Sequence, residues 1–346
     1  MTDLQSRTIS TLRPLLMVLI VFIHVGIRTE NYGIAANIIY NIISQITAIA
    51  AVPLFFIISG YLFFQNIENS KGFFSFKAYK NKLKKRLVGL VLPYFIWNLI
   101  AVLYIIVLQK IHFNSDYFTW VPFKQGNISL KQFFLSFISL RADKPLLFQM
   151  WFLRDLILIN FLAPIIYYLN KYTKSYINIF ILIIFILFYK KNYFFEYEFV
   201  AIVFYSIGAG LKIQNIDFTK INELPSFLIY FVYFASFLFF TTSSKYIVIP
   251  TGIIAITYTA IKLTKNNKIS EKISLLGSYS FFLYALHTFI IRIIQHFLST
   301  IFTDNTFFAV FIYFLSVILT IGISFIIYMI MRQFFPKMEL VLCGKR

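Results

Sequence analysis

Apolar runs of about membrane-spanning length follow one another from residue 14 to residue 331, and no other feature limits the fold as much. Lipid cannot hydrogen-bond an open backbone, so such runs must satisfy their own N–H and C=O groups as helices. Stretches bounded by charge or turn residues fall near residues 12–28, 35–64, 87–109, 150–169, 176–189, 197–211, 225–242, 246–261, 276–298 and 306–331. The fifth and sixth are shorter than the ~20 residues of an untilted span. The expectation is an all-α, polytopic integral membrane protein of about ten transmembrane helices, in one membrane-embedded domain over residues 1–346. A chain that is 60% hydrophobic and 13% charged has no polar exterior to offer water, which excludes a soluble two-domain protein.

The formal charge of +19, from 32 Lys and Arg against 13 Asp and Glu, would suit nucleic acid if it formed a patch. Sorted by span, it marks topology instead. With the amino terminus inside, 21 of the 32 basic residues fall on inner segments, seven of them between Lys71 and Arg86. This predicts both termini cytoplasmic, contact with anionic membrane lipid and no nucleic-acid partner. It also predicts a long outer loop at about 110–149, containing Trp120, Pro122 and Pro145, and a short cytoplasmic tail at about 332–346. No small-residue cleavage site follows Arg28-Thr29-Glu30, so the first span is expected to be retained rather than removed as a signal peptide. Ser206, Gly208 and Gly210 read as a close helix contact rather than a phosphate loop. The single Cys343 excludes an intramolecular disulfide and a cysteine-based metal site, and reads as a plain tail thiol; no metal site is expected.

Ionisable groups inside a bilayer are costly, so the few present are the first candidates for chemistry. They are His24 in the first span, Arg154 and Asp155 at the start of the fourth, and His287, Arg292 and His296 in the ninth. Arg13 and His24 are eleven residues apart. On a helix this places them ~16 Å apart along the axis and nearly on one face. Arg13 then lies at the inner headgroup level and His24 deep in the same groove, where a neutral imidazole is suited to general-base work. Each also has a plainer reading, Arg13 as a topological anchor and His24 as a buried histidine bonded to a neighbouring helix. Arg154 and Asp155 read either as an interfacial ion pair or as the lining of an entrance beside Trp151. His287, one turn after Tyr284, reads either as a structural histidine or as part of an acceptor site.

With these residues in place the chain resembles the membrane-bound acyltransferase family 3, whose hallmark is an arginine followed by histidine at this spacing in the first span. Further similarity lies in Phe55-Phe56-Ile57-Ile58-Ser59-Gly60-Tyr61, in Lys85-Arg86-Leu87-Val88-Gly89-Leu90-Val91-Leu92-Pro93-Tyr94, in Met150-Trp151-Phe152-Leu153-Arg154-Asp155-Leu156 and in Ser280-Phe281-Phe282-Leu283-Tyr284-Ala285-Leu286-His287. Lys84-Lys85-Arg86 stands where the family more often has an arginine pair. The resemblance covers residues 7 to about 332. It implies an O-acetyltransferase that moves acetyl from acetyl-CoA, with no bound cofactor, to a sugar hydroxyl. The acceptor it implies is a cell-surface polysaccharide such as the O-antigen of lipopolysaccharide, or its undecaprenyl-linked precursor, at a bacterial inner membrane. On this reading His24 and Arg13 are catalytic, Lys85, Arg86 and Ser59 bind the donor, and Trp151, Arg154, Asp155, Tyr284 and His287 contact the acceptor. Direct transfer and a covalent acyl intermediate on His24 or Ser59 both stay open. No extra hydrolase-like domain is expected after the last span. A multispan transporter or flippase for a lipid-linked sugar is the rival reading, but such proteins show paired halves or coupling carboxylates, and neither is visible here.

Overall fold

Helix α1 (Asp3–His24) begins in a capping box, in which Thr2 accepts from the Gln5 amide while the Gln5 side chain accepts from the Thr2 amide. It starts well before the first apolar stretch, and Pro14 is carried inside it. Its last turn leaves carbonyls without helical partners, and Ser44 Oγ takes up that of Phe22 at 2.7 Å. Ser44 also meets the Tyr313 hydroxyl at 2.6 Å, which ties the end of α1 to two other helices. The computed structural model describes residues 1–26, 33–110, 147–188, 196–239, 245–302 and 305–344. Most of the expected outer loop, with Trp120, and the segment after the first span lie outside the described residues.

A second helical ascent joins α2 (Gly33–Tyr40) through a π segment (Asn41–Thr47) and a 3-10 turn to α3 (Ala51–Phe64). A third joins the basic α4 (Phe76–Arg86) through a π segment (Leu87–Val91) to α5 (Leu92–Lys110). Then follow α6 (Trp151–Phe161), α7 (Ala163–Tyr172), α8 (Ile177–Phe188), α9 (Glu196–Ile213), α10 (Ser226–Ser236), α11 (Lys245–Lys265), α12 (Asn267–Leu275), α13 (Gly277–Ile301), α14 (Thr306–Phe334) and α15 (Pro336–Leu342). The class is all-α, with one isolated bridge between Glu68 and Phe74 among the described residues. Among the described residues, five helical stretches are long and apolar enough to cross a membrane, or six if a bent pair is counted as one span. Their outward surfaces carry Phe, Leu and Ile, as at Phe307, Ile318 and Ile326 on α14, while Ser316, Thr320 and Ser324 of the same helix are buried. This inside-out pattern is that of a multi-pass membrane protein.

The stretch expected as one span at 150–169 is broken: α6 and α7 meet at 65°. Pro164 lacks the amide that would bond to Asn160 and its ring crowds that carbonyl. The Tyr79 hydroxyl lies 3.3 Å from the Asn160 carbonyl and 3.4 Å from that of Phe161, and can donate to either. Helices α3 and α9 pack backbone to backbone. A Cβ at Gly60 would collide with the Tyr205 carbonyl, and one at Gly208 with that of Ile57. Beside this contact Asn170, Asn178 and Ser206 bond to one another, with Asn178 donating to Asn170 Oδ1 at 2.7 Å. Small residues and side-chain amides hold helices where no hydrophobic effect can.

Candidate active site

On α1 the residues Arg13, Met17, Ile20 and His24, spaced by four, three and four, all line one cavity of about 380 Å³. That stripe is a single helix face, as the spacing of Arg13 and His24 requires. Ser59 on α3, Arg86 at the end of α4, Trp151 on α6 and Tyr284 on α13 form the facing walls. The cavity therefore gathers six of the ten residues proposed from sequence.

One end is basic. Arg13 has an exposed surface, and this surface opens into the cavity. Among the described residues it has neither an ion pair nor a hydrogen bond. Arg86 is half-buried, its guanidinium 5.7 Å from the centre of the Phe63 ring, and it directly precedes the π segment. Gly277 and Ser278, at the start of α13, also line the cavity, so the first turn of a long helix faces the same space. No Asp or Glu is among the lining residues. Two guanidinium groups with no carboxylate among the lining residues give this end a positive character that suits an anion. Lys85 is exposed and does not line the cavity.

At the other end the His24 and His287 rings lie with centroids 5.1 Å apart, and Phe148 packs on His24 at 5.7 Å. His287 is fully buried, and its Nδ1 faces the carbonyls of Tyr284 at 2.8 Å and Leu283 at 3.1 Å. Carbonyls only accept, so Nδ1 carries the proton and Nε2 keeps its lone pair. That Nε2 is buried and has no hydrogen-bond partner. The Tyr284 hydroxyl donates to the Gln149 carbonyl at 2.5 Å and clamps the turn ahead of α6 onto α13. Trp151 is buried against Phe56, with ring centroids 6.2 Å apart, and presents its remaining edge to the cavity.

The model of the acyltransferase family 3 domain matches residues 7–329. The chain belongs to the membrane-bound acyltransferase family 3. No curated protein and no solved structure matches it. The activity that goes with the family is acyl transfer, so the cavity holding the arginine and histidine of α1 is the candidate active site of this acyltransferase.

Two sequence readings change within the acyltransferase. Arg154 and Asp155 form the expected ion pair but are not among the residues that line the cavity; Arg154 Nε donates to Asp155 Oδ1 at 2.8 Å, and both side chains are buried. A carboxylate one residue away answers the guanidinium. Cys343 is not a plain tail thiol: it is buried and lines the cavity. Helix α15 carries it there. Trp97 Nε1 donates to the Leu342 carbonyl at 3.0 Å, and Gly344, at φ +61°, lies so close to Gly89 that a Cβ would collide with the Gly89 carbonyl. Sequence reasoning also missed Gln149, which lines the cavity while only 2% exposed. Its signal was faint: one amide just ahead of Trp151, in a run of Leu, Phe and Met.

Proposed function

We propose that the protein moves an acetyl group from acetyl-CoA to a sugar hydroxyl of a cell-surface polysaccharide, such as O-antigen or its undecaprenyl-linked precursor, at a bacterial inner membrane. The observation that carries this reading is one cavity with an anion receptor at one end and a histidine at the other. Arg13 and Arg86 hold the phosphates of the donor, which enters from the side carrying the basic helix α4. Ser59, on the same wall, contacts the donor arm. A cavity of about 380 Å³ lies in the ordinary range for small-molecule sites and suits a thioester arm and a sugar ring together. Both termini lie on the donor side in this reading, with ten crossings in all.

His24 takes the proton of the acceptor hydroxyl as its oxygen bonds to the thioester carbonyl carbon. The carbon–sulfur bond of the tetrahedral intermediate then breaks, and the imidazolium returns the proton to the departing CoA thiolate. The products are the ester and CoA. His287, its proton held on Nδ1 by two carbonyls, keeps a lone pair beside His24 that can receive the second N–H of the imidazolium. Trp151 supplies an aromatic edge for the sugar ring.

The test is expression in a host with an unmodified surface glycan, with alkali-labile acetyl esters read by NMR or mass spectrometry. Wild type forms esters. His24→Ala inserts normally and loses roughly 10²–10⁴-fold in rate, the usual contribution of a general base. Esters that persist at the wild-type rate in His24→Ala remove His24 as the base, and their absence in wild type across several glycans removes the acceptor class.

A further inference from the structure

Gln149 holds its backbone carbonyl and both ends of its side-chain amide in a place that water hardly reaches, since the residue is 2% exposed. Its backbone carbonyl accepts from the Tyr284 hydroxyl at 2.5 Å, and its side-chain Nε2 donates to the Ala285 carbonyl at 3.0 Å. The second bond fixes the orientation of the amide, because a carbonyl partner requires the nitrogen on that side. The Oε1 is thereby held on the opposite side, where it is buried and has no hydrogen-bond partner. A buried acceptor left without a donor costs about 1–3 kcal/mol unless something supplies one. Gln149 lines the same cavity as His24, and the preceding residue, Phe148, packs on the His24 ring.

We infer that Gln149 Oε1 receives a hydroxyl of the acceptor sugar, one other than the hydroxyl that His24 deprotonates. This deepens the proposed function and rests on it. The amide acts as a ruler: with one hydroxyl bonded to Oε1, a neighbouring hydroxyl of the ring is presented to His24, so the residue selects which position is acylated. The side-chain nitrogen and the backbone carbonyl of Gln149 are both tied to α13, on which His287 also stands, so the ruler and the base's companion share one rigid element. A site built to bond a hydroxyl rejects the analogue lacking it, because the buried acceptor is then left unpaired.

The experiment pairs an enzyme change with a substrate change in membranes containing the full chain. Gln149→Met keeps the length of the side chain and removes the acceptor. Initial rates are measured for wild type and Gln149→Met with an acetylatable glycan fragment and with its mono-deoxy analogues, each lacking one hydroxyl next to the acylated position. One deoxy analogue should lower acceptor kcat/KM by roughly 10–100-fold in wild type, as expected for a buried acceptor left unpaired. Gln149→Met should show the same fall with the complete acceptor, no further fall with that analogue, an unchanged KM for acetyl-CoA and an altered ratio of acylated positions. If the enzyme change and every deoxy change multiply as independent effects, the inference fails. It fails equally if Gln149→Met lowers the melting temperature and raises both KM values together, since that is a packing role. Absence of transfer by wild type to any sugar removes the proposed function itself, and the inference with it.

Discussion

Arg13 and Arg154 are both arginines on helices of a membrane protein, and the structure treats them oppositely. Arg154 meets Asp155 at 2.8 Å, both side chains are buried, and neither reaches the cavity. Arg13 has no protein partner among the described residues and presents its surface to the cavity. A guanidinium answered by the protein is held in place by it, whereas one left to the cavity is available to a ligand, as the proposed function requires of Arg13. Residue type is shared, and it is the partner and the burial that separate the two roles, Arg154 being buried and paired and Arg13 exposed to the cavity.

Removing each charge in turn gives the largest contrast. Arg154→Ala strands the Asp155 carboxylate and should cost about 3–5 kcal/mol, seen as loss of folded protein in membranes and a lower melting temperature in detergent. Replacing both partners with apolar residues of similar size should recover most of that stability. Arg13→Ala should melt like wild type and lose donor kcat/KM by roughly 10–100-fold, the worth of a charge-assisted hydrogen bond. Should Arg13→Ala melt as low as Arg154→Ala, the comparison breaks.

A finer test uses the sole thiol. Maleimide labelling of Cys343 should slow in the presence of acetyl-CoA, while a control thiol placed at exposed Glu271 on α12 labels at one rate throughout. Equal rates at Cys343 with and without acetyl-CoA would place the donor elsewhere than the end where Arg86 and Cys343 lie.

The smallest effect belongs to a third kind of charge, paired but outside the spans. Glu68 accepts from Lys171 at 2.7 Å and from the Tyr167 hydroxyl at 2.6 Å, fastening the turn after α3 to α7. Burial by itself would raise its carboxyl, but the bonds from Lys171 and Tyr167 hold it below the ordinary value of 4.5. A lowered folded-state value means that the contribution is complete above the unfolded value and is lost as pH falls through the folded one. Glu68→Gln should therefore cost at most about 1 kcal/mol at neutral pH, shrinking towards nothing as the pH is brought well below 4.5 in thermal melts.

What the linear sequence carries is what a single helix carries. Eleven residues bring Arg13 and His24 onto one face whatever surrounds them, so that stripe was legible before any packing was known. Gly208 was legible for a similar reason, since small residues in an apolar span mark a close crossing. Gln149 was not, because its role depends on which carbonyls of α13 it meets; His287 was named as a candidate, but its place beside His24 depends on α1 lying alongside. For Arg154 and Asp155 the sequence left an ion pair and an entrance lining side by side, and only the packing shows that the two side chains meet each other at 2.8 Å. The break between α6 and α7 was written in Pro164, but the apolar pattern runs across it without a pause.

The cavity takes Arg13 and His24 from α1, and Tyr284 and Cys343 from α13 and the turn after α15, far later in the chain. At about 5–20 residues per second, the stretch between residues 24 and 287 takes roughly 13–53 s to synthesise. Throughout that interval α1 must stay in the bilayer with its arginine and histidine facing no finished wall. A chain interrupted between α1 and α13 is therefore a membrane protein with its early helices in place and its active site incomplete.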